Sequence, residues 1–155
     1  MNKSEIFWQT YLKIEREMLE IAKYIYVTDE NNEGQLNVYS PHIADLLVRT
    51  CIEIEALSKE LYFNLGGPKQ RGDKSLMFDI DCLKLIDINY KTSKKKVLIS
   101  CLSFNLTKDK NKEFRPLKEA HKKQGTDWER AYQAVKHDRY SSLSKGTILN
   151  LIHAI

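Results

Sequence analysis

Arg130 and His137 are the residues whose types and spacing could support chemistry, and both lie in the segment WERAYQAVKHDRY, residues 128–140. An arginine carries a permanent charge and a forked set of N–H donors that fits a phosphate group. A histidine can exchange a proton near neutral pH. Such a pair could hold a phosphate and move protons beside it. The alternative is that both are solvated side chains on the polar face of an amphipathic helix.

A single helix is predicted to position both residues. Thr126 followed by Glu129 forms a capping box, which marks the start of a helix. At 100° per residue, Arg130 and His137 lie roughly opposite the apolar sector that should face the core. That sector contains Trp128, Ala131, Tyr132 and Val135. Seven residues are nearly two turns, so the pair shares one face with a separation of about 10 Å along the helix axis.

Other familiar kinds of chemical site are not indicated. The three cysteines, Cys51, Cys82 and Cys101, form no Cys-x-x-Cys pair and suggest neither a disulfide framework nor a zinc site. The four histidines are scattered without the spacing of metal ligands, so no metal site is predicted. The segment GGPKQRG lacks the spacing and the Lys-Ser/Thr ending of a phosphate-binding P-loop. No cofactor is therefore assigned.

The positive charge of the chain is concentrated in one region. The 155 residues have a net charge of +4, but the stretch 69–123 contains fifteen Lys or Arg and seven Asp or Glu, and the remainder is net negative. This distribution favours an anionic partner, although lysine runs are often only solvated loops. The amino terminus has charges throughout, and no run approaches the length of a transmembrane segment. A cytoplasmic protein with no membrane partner is expected.

The hydrophobic pattern predicts a single domain, 1–155, of mainly α class: an antiparallel bundle of four to five helices with a small strand or hairpin insertion near 95–106. The first helix should run from Lys3 to Val27. The second should begin at the Ser40 cap and stop at the GGP segment. A third is expected after a Ser75 cap. The last segment, GTILNLIHAI, has no terminating signal, which indicates either a truncated chain or an end that docks in the core.

The helix order and the R-x6-H spacing of Arg130 and His137 resemble the HEPN domain superfamily (higher eukaryotes and prokaryotes nucleotide-binding). The mark of that family is an arginine, four to six intervening residues and a histidine. The phrase AYQAVKHDRY also looks like helical segments of uncharacterised bacterial HEPN-like proteins, and RTCIEIEALSKELY resembles the helix packed beside the motif. One departure is Ala131, because many nucleases of the family have a polar residue directly after the arginine.

The resemblance implies a metal-independent endoribonuclease of a bacterial toxin–antitoxin or antiviral defence system. His137 would be the general acid/base and Arg130 would hold the scissile phosphate, while Lys136 and Arg139 would help to bind RNA. It also implies a two-fold homodimer through the Arg130–His137 face, with Ala134 near its centre, and an antitoxin or other protein as a further partner. The alternative is a non-catalytic HEPN-like module that binds a nucleotide, RNA or a protein, and Ala131 favours it.

Overall fold

The chain is mainly α-helical in a computed structural model that describes residues 2–69 and 75–155, apart from the side chains of residues 31–33. The helices are α1 (Lys3–Ile21), α2 (Pro41–Asn64), α3 (Lys84–Tyr90), α4 (Asp109–Lys112), α5 (Asp127–His137), α6 (Arg139–Ser142) and α7 (Ile148–Ala154). Short 3-10 segments occupy Asn31–Asn37, Thr92–Lys94 and Leu143–Lys145. The predicted class, mainly α with a small strand component, is confirmed.

The first helix is shorter than its apolar stripe predicts. It ends at Ile21, and Val27–Thr28 form strand β1 instead of a last helical turn. β1 pairs in parallel with a later strand, Phe104–Asn105, which places Val27 opposite Phe104. Val27 is completely buried there. The β-branched pair prefers this extended, packed environment, so tertiary pairing overrides the helical spacing.

The second helix begins and ends where the sequence indicates. The Ser40 hydroxyl accepts a hydrogen bond from the amide of Ile43 at 3.2 Å, and Pro41 occupies the first helical position. The helix stops at Asn64, just before Gly66, whose φ of 80° is a left-handed conformation that favours glycine. α2 packs against α1, α5 and α7 and so forms the centre of the molecule.

The third helix does not start at a Ser75 cap. Its first turn is a π-helical segment, Phe78–Leu83, which runs directly into α3. The amide of Met77 donates to the Asp81 carboxylate at 2.9 Å, so a residue inside the helix satisfies the amide just before it. This contact replaces the predicted serine cap. Cys82 and Leu83 are buried at the end of the π-helical segment.

Strands do form in the predicted region near 95–106, but they do not pair with each other as a local hairpin. They are β2 (Val97–Leu98) and β3 (Phe104–Asn105), and β4 (Glu113–Phe114) follows α4. β3 pairs in parallel with β1, whereas β2 pairs antiparallel with β4. The strand component therefore ties the segment 97–105 to β1, which follows α1, and to β4, which follows α4.

The last helix completes the core. Thr147 caps α7 by accepting the amide of Asn150 at 3.2 Å, and Ile148 and Leu151 are fully buried. α7 packs against α2 and α5. Among the described residues, no helix is both long and apolar enough to cross a membrane.

Candidate functional site

Helix α5 forms as the capping box predicts. The Thr126 hydroxyl accepts from the Glu129 amide at 3.4 Å, and the Glu129 carboxylate accepts from the Thr126 amide at 2.6 Å. The predicted core residues, Trp128, Ala131, Tyr132 and Val135, are all buried. Arg130 and His137 are both exposed, as the helical geometry requires. The polar face of α5 is therefore the face that the sequence predicts.

Arg130 is turned back toward the start of its own helix. Its guanidinium donates to the carbonyl oxygens of Gln124 and Gly125 at 3.1 and 3.0 Å, and it pairs with Asp127. Helical side chains point toward the amino-terminal end, so this direction is the expected one. Gly125 has a φ of 60°, and a Cβ there would lie 2.8 Å from the Glu129 carboxylate. Position 125 therefore favours glycine, in the turn whose carbonyl oxygens accept from Arg130.

His137 lies at the opposite end of α5, where it is the last helical residue. Its ring makes no hydrogen bond or ion pair with any residue that the structure describes. The rise along the helix separates it from Arg130 by about 10 Å, and the arginine points away from it. One chain alone therefore does not bring the two predicted catalytic side chains together.

The two predicted RNA-binding residues both have partners within the chain. Lys136 donates to the Tyr132 hydroxyl at 2.8 Å and lies 3.6 Å from the Glu55 carboxylate. The Tyr132 hydroxyl in turn donates to Glu55 at 2.6 Å, and burial together with this carboxylate raises the pKa of Tyr132. Arg139 pairs with Asp45 of α2. Both cations thus fasten α5 and α6 to α2.

A basic cleft of about 610 Å³ opens at the amino-terminal end of α5. Arg130 forms part of its wall, together with four cations from the preceding loop: Arg115, Lys118, Lys122 and Lys123. Among the described residues that line the cleft, the acidic ones are Glu119 and Asp127. Glu119 is paired with Lys122 at 2.5 Å and Asp127 with Arg130. Within residues 2–69 and 75–155, Arg115, Lys118 and Lys123 have no ion-pair partner. The cleft therefore presents an excess of positive charge.

His153 lies where this cleft meets a second, larger cavity. Its ring stacks on Phe114 with centroids 4.2 Å apart, and it lines both spaces. Its Nε2 is buried without a hydrogen-bond partner among the described residues. Burial lowers the pKa of His153, and the nearby Asp127 opposes that change only in part. A neutral imidazole with one unsatisfied nitrogen is therefore available at this boundary.

Glu129 is the other titratable group at this end of α5. Its Oε2 accepts from Thr126, whereas its Oε1 is buried without a hydrogen-bond partner among the residues described. Burial raises the pKa of Glu129 to about 7, although the Thr126 hydrogen bonds lower it. The negative potential of Asp79 adds to the increase, and Arg130 opposes it. This carboxyl is poised to titrate near neutral pH.

No metal centre is assembled in the described residues, and two of the three thiols, Cys51 and Cys82, are buried. No three His, Cys, Asp or Glu side chains in this part of the chain lie together so as to hold a metal ion. Burial raises the pKa of the Cys51 thiol, and it raises the pKa of Cys82 to about 11. Thiols with raised pKa values are protonated at neutral pH and react slowly.

Comparison with protein-family models, with curated proteins and with solved structures finds no match for this chain in any of the three. The resemblance to the HEPN superfamily therefore remains a prediction from the motif and the helix order.

The cleft has a signal in the sequence that lies outside the Arg130–His137 motif. The lysines of residues 118–123 end three residues before the Thr126 cap, so a short loop must keep them near the start of α5. Side chains on a helix point toward that same end, which brings Arg130 to them. His153 had no comparable signal, because α7 meets Phe114 only through packing of distant segments.

Proposed function

We propose that this protein binds RNA through its sugar–phosphate backbone, with the basic cleft as the binding surface. The observation that carries the proposal is the gathering of cations around one cleft: five of the described residues that line it are Lys or Arg, Arg130 among them, and the two described acidic residues are already paired. Arginine and lysine side chains are the usual partners of backbone phosphates. The cleft also lies at the start of α5, where the helix dipole favours an anion.

The pairing of Arg130 with Asp127 does not oppose this role. Both side chains are more than half exposed, at 56% and 78%. Exposed ion pairs of this kind contribute at most about 1 kcal/mol. A phosphate can therefore replace Asp127 as the partner of the guanidinium at little cost. The carbonyl oxygens of Gln124 and Gly125 meanwhile hold the arginine at the wall of the cleft.

RNA cleavage without a metal is a second candidate function, and the geometry of His137 favours it. The imidazole is exposed and has no partner among the described residues, so a substrate can reach it. It shares a helix face with Arg130 but lies too far from it in one chain. Two copies of α5 packed antiparallel about a two-fold axis would place Arg130 of one protomer beside His137 of the other. Each such site would hold one phosphate and one acid/base group.

Binding is tested by fluorescence anisotropy of a labelled single-stranded RNA without divalent metal. The double change Lys118→Glu, Lys123→Glu should lower affinity at least tenfold. Loss of two phosphate contacts should also make the slope of log K against log salt shallower by about 1.4. The matched control is Lys13→Glu, Lys145→Glu, which reverses two exposed lysines outside the cleft. Equal affinity of the two double variants would contradict the proposal.

Cleavage is tested by mixing two inactive variants. Arg130→Ala and His137→Ala should each abolish cleavage of mixed RNA in the presence of a chelator. If the site combines residues of two protomers, subunit exchange between the variants forms mixed dimers with one intact site. Activity should then return to about a quarter of the parent rate. No activity in the parent, in a preparation shown to be dimeric, would leave RNA binding alone as the function.

A further inference from the structure

We propose that the protein has a binding site for a straight-chain fatty acid, with the alkyl chain in the apolar cavity beside His153 and the carboxylate at the basic cleft. The inference goes beyond the proposed function. It shares the cleft with the RNA proposal but requires no RNA, so either proposal can fail without the other.

The apolar cavity has a volume of about 750 Å³ and lies between α1, α2, α7 and the segment 97–101. Its size falls within the range of small-molecule sites, about 300–1,000 Å³. Aliphatic and aromatic side chains form most of its wall, including Met18, Ile54, Leu61, Leu83 and Ile152. An apolar space of this size favours an apolar occupant, because removing such surface from water is the main source of binding free energy.

Several polar groups in the cavity wall already have hydrogen-bond partners within the protein. The Tyr11 hydroxyl donates to Glu15 at 2.9 Å, and the Ser58 hydroxyl donates to the carbonyl of Glu55 at 3.0 Å. The Thr92 hydroxyl is similarly occupied by Asp87, at 3.3 Å. A ligand body rich in hydrogen-bonding groups would find few partners here. A saturated hydrocarbon chain needs none.

The boundary with the basic cleft supplies the polar end of the site. Phe114, Pro116, Trp128 and His153 line both spaces. His153 Nε2 is buried there without a partner among the described residues, and a buried polar atom of this kind gains from a hydrogen bond. Beyond it lie cations of the cleft that have no ion-pair partner in the part of the chain that the structure describes, Lys118 and Lys123 among them.

Charge complementarity therefore selects the head group. An amphiphile that enters the apolar cavity from this end places its head beside an unsatisfied imidazole nitrogen and several cations. A carboxylate accepts a hydrogen bond from His153 in the tautomer with the proton on Nε2, and it also pairs with the cations. A neutral alcohol hydrogen-bonds to the imidazole but does not pair with the cations, and a cationic head is repelled. Glu15, the acidic residue among the described side chains that line the apolar cavity, opposes the reverse orientation.

The test uses Trp128, which is in the wall of both spaces, as the reporter. The change Trp8→Phe removes the only other tryptophan, an exposed residue that stacks on Tyr11. Titration of this protein with tetradecanoate should give a saturable change in tryptophan emission. Across a series from octanoate to tetradecanoate, Kd should fall up to about fourfold for each added methylene until the cavity is full. Tetradecanol should bind at least tenfold more weakly than tetradecanoate.

Two variants then locate the ligand. Cys101→Phe adds bulk at a residue that lines the apolar cavity, and it should weaken tetradecanoate binding at least tenfold. Leu102→Phe makes a similar change at the fully exposed neighbour, which does not line the cavity, and should have no effect. Lys118→Glu, Lys123→Glu should weaken binding of tetradecanoate but not of tetradecanol.

Three results would each overturn the inference. They are the absence of saturable binding by the Trp8→Phe protein, equal affinity for the acid and the alcohol, and equal affinity of the Cys101→Phe and Leu102→Phe variants. The first two use the otherwise unaltered cavity and so do not depend on whether Cys101→Phe folds. RNA binding measured without fatty acid reports separately on the proposed function.

Discussion

Glu129 and Arg130 are adjacent residues whose surroundings differ completely. The glutamate is 5% exposed and lies under the first turn of α5, whereas the arginine extends along the wall of the cleft. One buried oxygen of Glu129 has no partner among the residues described, so ionisation of this carboxyl is costly. The result is a titration near neutral pH at the point where an anionic ligand would bind.

The stability of the protein should therefore depend on Glu129 between about pH 4.5 and pH 7. Burial raises the pKa of this carboxyl from 4.5 to about 7 in the folded chain. Below pH 4.5 the Glu129 carboxyl is protonated in both the folded and the unfolded chain, so it does not lower the free energy of unfolding. As pH rises, the unfolded chain ionises first, and the free energy of unfolding falls until the folded carboxyl also ionises. The shift predicts a loss of about 2–3 kcal/mol between pH 5 and pH 8.

Glu129→Gln tests this prediction, because glutamine keeps the capping box and does not titrate. Urea unfolding at pH 5 and pH 8 should show the variant gaining about 2–3 kcal/mol relative to the parent as pH rises. Glu30→Gln, a change at an exposed carboxyl, serves as the control and should follow the parent. A constant difference between Glu129→Gln and the parent would show that Glu129 does not carry the pH dependence.

At the scale of elements, Asp29 joins the strand β1 to the segment that begins α4. Its carboxylate has no exposed surface and accepts four hydrogen bonds. The donors are the Thr107 amide (2.7 Å), the Thr107 hydroxyl (2.8 Å), the Lys108 amide (2.8 Å) and the Asn111 side chain (3.0 Å). These hydrogen bonds outweigh the effect of burial and hold the pKa of Asp29 well below its usual range. The carboxylate thereby fixes the segment 107–111 against the end of β1.

Asp29→Asn should lower the free energy of unfolding by about 2–3 kcal/mol at pH 7, since an amide can accept at only one of the two oxygen positions. The folded pKa is depressed, so the contribution of the carboxylate is present above about pH 4 and is lost as pH falls further. The difference between Asp29→Asn and the parent should therefore shrink below pH 4. Urea unfolding measures it, with the exposed Asp109→Asn on α4 as control. Equal stability of the two variants at pH 7 would refute this role.

At the scale of the whole molecule, the predicted homodimer depends on the exposed face of α5. Gln133 and Ala134 lie between Arg130 and His137 on that face and are partly exposed. A small residue at this position allows two helices to approach closely, and an antiparallel pair would complete two Arg–His sites. The single chain separates the residues, so the proposed cleavage requires the dimer.

Ala134→Arg should convert a dimer into a monomer, because a long charged side chain cannot be accommodated where two helices meet. Sedimentation velocity of the variant and the parent measures this directly. Ala56→Arg, at an exposed position of α2, places the same side chain elsewhere and should leave the dimer intact. A monomeric parent would contradict the predicted dimer, and so would a dimer that tolerates Ala134→Arg.

Much of the fold could be predicted from local patterns. The capping box at Thr126, the Ser40–Pro41 start of α2 and the stop near Gly66 all involve residues within a few positions of each other. Their hydrogen bonds are made inside one turn, so a local sequence determines them. The buried and exposed faces of α5 follow from helical geometry for the same reason.

Pairings between distant segments could not be predicted in this way. The end of α1 at Ile21 depends on the pairing of β1 with β3. In that pairing Val27 lies opposite Phe104, which is 77 residues later in the sequence. Arg49 has Glu53 one turn away but pairs with Glu17 of α1. Local preference does not decide between helix and strand at the end of α1, or between Glu53 and Glu17 as the partner of Arg49. Contacts between distant segments, made on folding, decide both.

The sequence by itself determined that the chain is mainly helical, that α5 begins at its cap, and that Arg130 and His137 share an exposed face. Only the tertiary structure decided that Arg130 joins a basic cleft, that Lys136 and Arg139 hold α5 and α6 against α2, and that His153 lies between two cavities. The physical reason is the range of the interactions. Helix caps and helical faces depend on neighbouring residues, whereas a cleft is formed by segments that only packing brings together.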